Sequence, residues 1–287
     1  MDISRFKIKR DLDLRLSDLK TNESGGYRSK ANAKAKLDEN IVRMADLQGK
    51  LYAQDKYALL IIFQAMDTAG KDGTIKHVMS GLNPQSTQVH SFKQPSAEEL
   101  NHDYLWRPMK NLPERGAIGI FNRSYYEEVL VVRVHNLLNN EHIPGKNMTK
   151  NIWKTRFRQI RDFEKYLFEN GIIPIKFFLH ISKKTQAQRL LERIENKTKN
   201  WKFSAADLKE REYWNDYQKA YQEAIRETST NHAPWYVIPA DKKWFAHLLV
   251  SEVIAKTMES LNLDFPTVNK ELEKELMECK RKLMSEE

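Results

Sequence analysis

The sequence predicts an α/β fold in which a parallel five-stranded sheet carries helices on both faces. The first sign is the stretch Tyr57-Ala-Leu-Leu-Ile-Ile-Phe-Gln-Ala-Met-Asp-Thr-Ala-Gly-Lys-Asp-Gly-Thr74. Tyr57 to Phe63 is an apolar run too short for a helix and suited to a strand buried on both sides. A turn of small residues, Ala65 to Gly70, leads to Lys71, and from Thr74 apolar residues fall at helical spacing (Ile75, Val78, Met79, Leu82). The second sign is that strand-like and helix-like segments alternate along the rest of the chain, as parallel sheets require. The third is size: 287 residues, 40% of them apolar, can bury one large core, with two small domains as the alternative.

Residues 1–35 form an N-terminal arm in which charge alternates with Leu12, Leu14, Leu16 and Leu19 before Gly25-Gly26. Residues 31–55 repeat apolar positions at three- and four-residue steps (Ala33, Leu37, Ile41, Met44, Leu47, Leu51), a helix leading into the first strand. Ser86 to Phe92 suits a second strand. Ser96 and Glu99 form a capping box opening a helix that runs through Leu100, Tyr104, Leu105 and Met109 to Pro113, with Trp106 in the core. Ala117 to Phe121 is the third strand. Residues 150–169 place Trp153, Phe157, Ile160, Phe163 and Leu167 on one helical face, ended by Gly171. Ile172 to Ile181 is the fourth strand, with Pro174 near its start, where a missing donor is tolerated. Residues 183–226 are charged and helical in pattern, Pro234 to Pro239 is the fifth strand, and Phe245 to Leu261 is an apolar helix. Residues 266–287 form a helical tail. Leu272, Leu276, Cys279 and Leu283 recur there at 4-3-4 spacing, which suits either docking on a neighbour or a solvent-exposed helix.

Composition narrows the partners. A net charge of +9 favours polyanions: nucleic acid, nucleotides, polyphosphate or a membrane surface. The single cysteine precludes an intrachain disulfide and suits a reducing compartment. The charged N-terminus and the lack of a long apolar run argue against a leader or a membrane span, giving a cytoplasmic expectation. No nucleic-acid module is recognisable, and the aromatics do not interleave with the basic run as a stacking platform would.

A strand, a Gly-Lys loop and a helix together have the layout of a phosphate-binding loop, with an ordinary strand–turn–helix as the plain alternative. In such a loop the backbone N–H groups and helix N-terminus face phosphate oxygens, and the lysine reaches the outer phosphates. Ala69, Gly70, Asp72, Gly73 and Thr74 are its phosphate-binding candidates beside Lys71. The loop departs from the usual pattern: Ala65 stands at the first glycine, and Asp72 replaces the hydroxyl that follows the lysine. Asp67 admits two readings. Among phosphates its carboxylate calls for an intervening divalent cation, and alone it suits a helix cap or an Asx turn.

Ligands of open parallel sheets bind at the strands' carboxyl ends. The third strand ends there in Asn122, Arg123 and, soon after, Glu127. Asn122 is a neutral ligand, and Arg123 suits either bridging two phosphates or a structural ion pair. Glu127 and Glu128 also fit a solvated helical turn. From Ser182 to Arg211 nine Lys and Arg face four carboxylates, an excess of five. After the fourth strand such a segment reads as a lid clamping phosphates and excluding water, with a wet surface as the plain alternative.

Gln64-Ala-Met-Asp-x-x-Gly-Lys-Asp-Gly-Thr74, Phe92, Asp103-Tyr-Leu-Trp-Arg107, Ile120-Phe-Asn-Arg-Ser-Tyr-Tyr-Glu127, Lys176-Phe-Phe-Leu-His-Ile-Ser182, Trp201-Lys-Phe203 and Ala233-Pro-Trp-Tyr-Val-Ile-Pro239 together resemble the type-2 polyphosphate kinase family over roughly residues 40–260. The Asn-Arg-Ser-x-Tyr-Glu form looks like the class acting on both nucleoside mono- and diphosphates. The resemblance implies a P-loop kinase-like, thymidylate-kinase-like fold over 36–265, with a helical basic lid at about 183–226. It implies phosphoryl transfer from inorganic polyphosphate to AMP and ADP with Mg2+, Mn2+ serving as a substitute. Adenine and guanine nucleotides are the acceptors to test, and a homo-oligomer is the expected assembly.

Asp67, Lys71, Arg123 and Glu127 are then the catalytic candidates, with Asp67 holding the metal. From the lid Arg193, Lys202 and Arg211 join the phosphate-binding candidates, as does Arg133, which equally suits a surface ion pair. The nucleoside is expected near residues 81–107, with Asp103 and Arg107 as its contacts. The competing readings are a nucleoside monophosphate kinase using ATP and a non-catalytic polyanion-binding protein.

Overall fold

The computed structural model describes residues 1–9, 13–140 and 143–286. Its centre is β1 (Ala58–Ala65), whose eight residues are all buried. Helix α1 (Lys30–Gln54) feeds it, and α2 (Lys71–Val78) leaves it through the small-residue turn. Then come β2 (Thr87–Ser91), the short helices α3 (Ala97–Leu100) and α4 (Trp106–Met109), β3 (Ile118–Asn122) and α5 (Val131–Val134). The chain continues with α6 (Ile152–Glu169), β4 (Ile172–His180), α7 (Lys183–Glu195), α8 (Ala205–Glu210), α9 (Trp214–Thr228), β5 (Trp235–Pro239), α10 (Lys243–Glu259) and α11 (Lys270–Met284).

The five strands run parallel in the order β2-β3-β1-β4-β5. Helices α1, α2 and α10 pack together on one face, and α5, α6 and α9 pack on the other. Because β1 lies between β3 and β4, the turns after β1 and β3 emerge side by side. Phe63 pairs with Asn122, and the Arg123 N–H donates to the Phe63 carbonyl at 3.0 Å. Pro174 sits where β4 has only β1 beside it, since β5 joins from Lys176 onward. Its missing donor therefore costs no ladder bond on the β5 side.

Several expectations on element bounds change. Helix α2 begins at Lys71, because Gly70 takes the left-handed conformation (φ 103°) that turns the loop into the helix. The capping box at Ser96 and Glu99 forms, but its helix ends at Leu100. Asp103 then accepts from the Leu105 N–H at 2.9 Å and restarts the chain into α4. Trp106 is half-buried rather than in the core, its ring stacked on His102 at 3.9 Å with the Lys110 ammonium 4.2 Å away. The charged segment 183–226 is three helices, α7, α8 and α9, with a turn at Asn200–Lys202 between the first two.

The first residues pack against the β5 edge of the body. The Ile8 N–H donates to the Trp235 carbonyl at 2.9 Å, Ser229 Oγ to the Ile8 carbonyl at 2.6 Å, and Leu14 and Leu16 are buried. Leu12 lies outside the described residues. No helix is long and apolar enough to cross a membrane among the described residues.

Candidate active site

The loop after β1 is held from behind by α7. Arg189, buried to 93%, donates from Nη1 to the carbonyls of Thr68 (3.0 Å) and Ala69 (2.9 Å) and from Nη2 to those of Ala240 (2.6 Å) and Asp241 (3.1 Å). Gln186 Nε2 donates to the Asp67 carbonyl at 3.1 Å. With its carbonyls taken on that side, the loop presents its N–H groups to the other. Gly70 through Gly73 supply the unpaired donors of the α2 N-terminus. Thr68 (φ 63°) and Gly70 both take left-handed backbone, the coil that curls the loop.

A cavity of about 680 Å³ opens in front of those donors. Lys71, Lys93, Arg123, Arg189, Arg193, Lys199, Lys202 and Lys243 line it, eight cations against the three carboxylates Asp67, Asp72 and Glu192. Lys71 Nζ donates to the Ala65 carbonyl at 3.3 Å, folded back along the loop. Burial and then the Arg123 guanidinium lower its pKa, against the opposing pull of Asp67, Glu127 and Asp72. The strong positive potential follows from the summed charges and suits a polyanion.

Arg123 also has left-handed backbone (φ 65°), and this turns its side chain from β3 toward the loop. Its Nη2 lies 3.5 Å from Asp67 Oδ1. Burial works against the guanidinium charge, but Glu127 and Asp67 outweigh it and raise the Arg123 pKa. Burial pushes the Glu127 carboxyl up, with Arg123 and Lys71 acting against it. Glu128 points elsewhere and accepts from Arg156 Nη1 at 2.7 Å. Asn122 Nδ2 donates to Asp72 Oδ1 at 2.8 Å, tying β3 to α2, while its buried Oδ1 carries no protein partner.

A second cavity, of about 340 Å³, shares Phe92, Lys93, Gln94 and Arg123 with the first and continues along Tyr104, Arg107, Glu127 and Val131. It is the more apolar end of the site, with the Arg107 guanidinium 4.9 Å from the Phe92 ring centre. Arg107 therefore reaches this cavity. Asp103 lines a separate hollow and acts as a turn cap.

The remaining sequence candidates divide. Ala69, Gly70, Asp72, Gly73, Arg193 and Lys202 line the main cavity. Thr74 is buried beneath it, its hydroxyl donating to the Gly70 carbonyl at 3.0 Å. Arg193 spans the lid turn, bonded from Nη1 to Asp207 Oδ2 (2.9 Å) and to the Lys202 carbonyl (3.3 Å). Arg211 is not on the cavity wall; it donates to Gln186 Oε1 at 2.8 Å and so supports the side chain that holds Asp67. Arg133 is not brought to the loop either. It pairs with Glu223 at 2.7 Å and lies 5.4 Å from the Trp153 ring centre, the ion-pair alternative.

Behind the β3 turn lies a buried network of residues far apart in the sequence, none of them among the site candidates. Lys176 Nζ reaches Glu164 Oε2 (2.5 Å), the Tyr126 hydroxyl (3.0 Å) and the Thr228 carbonyl (2.8 Å). The Tyr125 and Tyr126 hydroxyls both donate to Glu164 Oε1, at 2.9 and 2.8 Å. Both charged side chains are fully buried. The network fixes the two tyrosines between Arg123 and Glu127, and so the turn that aims those residues.

Among the described residues no group of three or more His, Cys, Asp or Glu is placed to hold a metal. Asp67 is a half-buried carboxylate on the wall of an anion cavity, beside the Arg123 guanidinium. That donor set fits a hard divalent cation taking one protein oxygen and filling its shell with phosphate oxygens and water.

A loop with a lysine-led helix, a parallel sheet of this strand order and a basic lid define a P-loop kinase-like protein. Comparison with known proteins makes the assignment finer. The family model described as Polyphosphate kinase 2 (PPK2) matches residues 27–266, and the chain belongs to that family. An ADP-polyphosphate phosphotransferase of Rhodopseudomonas palustris is 51% identical over 98% of each chain. An AMP/ADP-polyphosphate phosphotransferase of Meiothermus ruber is 46% identical over 96% of each. The crystal structure of polyphosphate kinase 2 from Arthrobacter aurescens superposes with a TM-score of 0.88 at 38% identity, covering 99% of this chain and 96% of that one.

Proposed function

We propose that this protein transfers a phosphoryl group from inorganic polyphosphate to AMP and ADP, yielding ADP and ATP. The observation that carries the reading is the junction of two cavities at Arg123, one cationic and loop-lined, the other more apolar and bounded by Phe92 and Arg107. The first suits a phosphate chain and the second a nucleoside, so donor and acceptor phosphates meet above Asp67 and Lys71. The names of the relatives support the same substrates.

A terminal phosphate oxygen of the acceptor, already ionised, attacks the terminal phosphorus of the donor. The bridging P–O bond to the rest of the chain breaks, and the shortened polyphosphate leaves with the electron pair. No strong base is needed. The loop N–H groups and Lys71 hold the transferring group, and Arg123 spans donor and acceptor. Glu127 and Asp67 hold Arg123 in place. Alignment and charge neutralisation supply the catalysis. A Mg2+ ion on Asp67, with Mn2+ as a substitute, would neutralise charge between the two phosphate groups.

Incubation of ADP with polyphosphate in the absence of ATP tests the reading, with ATP as the expected product. A nucleoside monophosphate kinase would form ATP from ADP only by disproportionation, in equal amount with AMP and whether or not polyphosphate is present, and a polyanion-binding protein would bind without turnover and with steep salt dependence. Parallel reactions with AMP, GMP and GDP define the acceptor range.

A further inference from the structure

Among the described residues, α11 is the one long helix with every side chain exposed. A short segment connects it to the body, from the buried Leu263 to Asn269, whose side chain caps α11 by accepting from the Leu272 N–H at 2.8 Å. Leu272, Leu276 and Leu283 are 44%, 52% and 65% exposed, and with Cys279 they form one row at alternating four- and three-residue steps. That row is the seam of a two-stranded coiled coil, with Leu276 and Leu283 at a and Leu272 and Cys279 at d.

The charges beside this row name its partner. At the flanking e and g positions the first half carries Glu273 and Glu275, and the second half carries Lys280 and Lys282. Away from the row the signs mix: Lys270, Glu271 and Lys274 in the first half, Glu278 and Arg281 in the second. The helix macrodipole favours acids early and bases late on every face. It does not explain a separation that is clean only beside the seam.

We infer that α11 pairs antiparallel with α11 of a second copy of this chain, about a two-fold axis between Leu276 and Cys279. Leu272 then packs on Leu283 of the partner subunit, and Leu276 on Cys279 of the partner subunit. In an antiparallel pair e faces e and g faces g. Glu273 meets Lys280 of the partner subunit, Glu275 meets Lys282 of the partner subunit, and symmetry repeats both. A parallel pair keeps only the g-to-e contact of Glu275 with Lys280 of the partner subunit, and it sets Cys279 against Cys279 of the partner subunit. The antiparallel contact is self-complementary, as a two-fold interface must be. So short a helix is marginal alone, and the folded body that carries it supplies the local concentration.

The test uses the full chain. Under mild oxidation L276C places its thiol opposite Cys279 of the partner subunit, so a disulfide-linked dimer forms, while the wild-type chain under the same oxidant gives none. E273K/E275K and K280E/K282E each halve the mass of the assembly in solution, and an equimolar mixture of the two restores it, because one helix is then basic and the other acidic along the seam. Turnover of each variant stays at the wild-type level, since α11 lines none of the cavities at the loop. Wild-type chains that crosslink as readily as L276C would overturn the antiparallel register. L276C without crosslinks, together with unchanged masses for both charge variants, would overturn the pairing itself.

Discussion

Arg189 stands directly behind Ala69, its guanidinium donating to the Ala69 carbonyl at 2.9 Å while its other terminal nitrogen holds the carbonyls of Ala240 and Asp241. One side chain thus fastens the phosphate loop to the turn after β5. A lysine offers a point charge and cannot span both sets of carbonyls.

R189M leaves four carbonyls without their charged donor. It should lower stability by about 2–4 kcal/mol and kcat by about 100-fold through misplacement of the loop. R189K should recover stability more than turnover. Thermal unfolding and steady-state kinetics on both variants check the split, and full activity in R189M would remove Arg189 from the account.

The Glu164–Lys176 pair gives a stability prediction. K176M strands a fully buried carboxylate with only the Tyr125 and Tyr126 hydroxyls as partners and should cost about 3–5 kcal/mol in urea unfolding. K176M/E164Q should recover much of that loss, because no charge is left without its partner. Two additive losses would contradict the pairing.

His247 gives a pH dependence. Its ring stacks on His77 with centroids 4.6 Å apart. Burial, His77, Lys243 and Arg189 push its pKa from 6.5 down to about 4. Between those values the unfolded chain holds the proton and the folded chain does not. Stability is therefore full above 6.5 and falls as pH drops toward 4, by up to about 1.4 kcal/mol per pH unit. H247Q should flatten that limb, and polyphosphate bound beside the ring should do the same in the wild-type chain by favouring the charged form. Urea unfolding at a series of pH values, with and without polyphosphate, measures both.

Asp67 gives a metal dependence. D67N should raise the magnesium concentration needed for half-maximal turnover by about 100-fold or more, since a neutral oxygen is a poor ligand for a hard cation. An unchanged metal titration would reduce Asp67 to a partner of Arg123.

Much of this was legible in the chain itself. The run Tyr57 to Thr74 announces strand, loop and helix, because a doubly buried strand is apolar throughout and Gly-Lys marks the turn. What local pattern could not give was the support from distant residues. Arg189 is visible in the sequence only as one of nine basic residues, and its burial behind the loop arises from the way α7 crosses it. Lys176 and Glu164 did leave a signal. A lone lysine interrupts the apolar strand 172–181, and Glu164 stands beside Phe163 on the apolar side of its helix. Read together, they mark a buried pair. Arg133 shows the reverse case, since a basic residue after a strand end looks the same whether it meets a phosphate or Glu223.

In the proposed reaction Lys71 holds the phosphoryl group as it passes from polyphosphate to nucleotide. The direct measurement is ATP formed from ADP and polyphosphate by K71A, beside a melting curve of the same sample. The expected result is a loss of about 1000-fold or more with an unchanged melting transition. Turnover near that of the wild-type chain would contradict it.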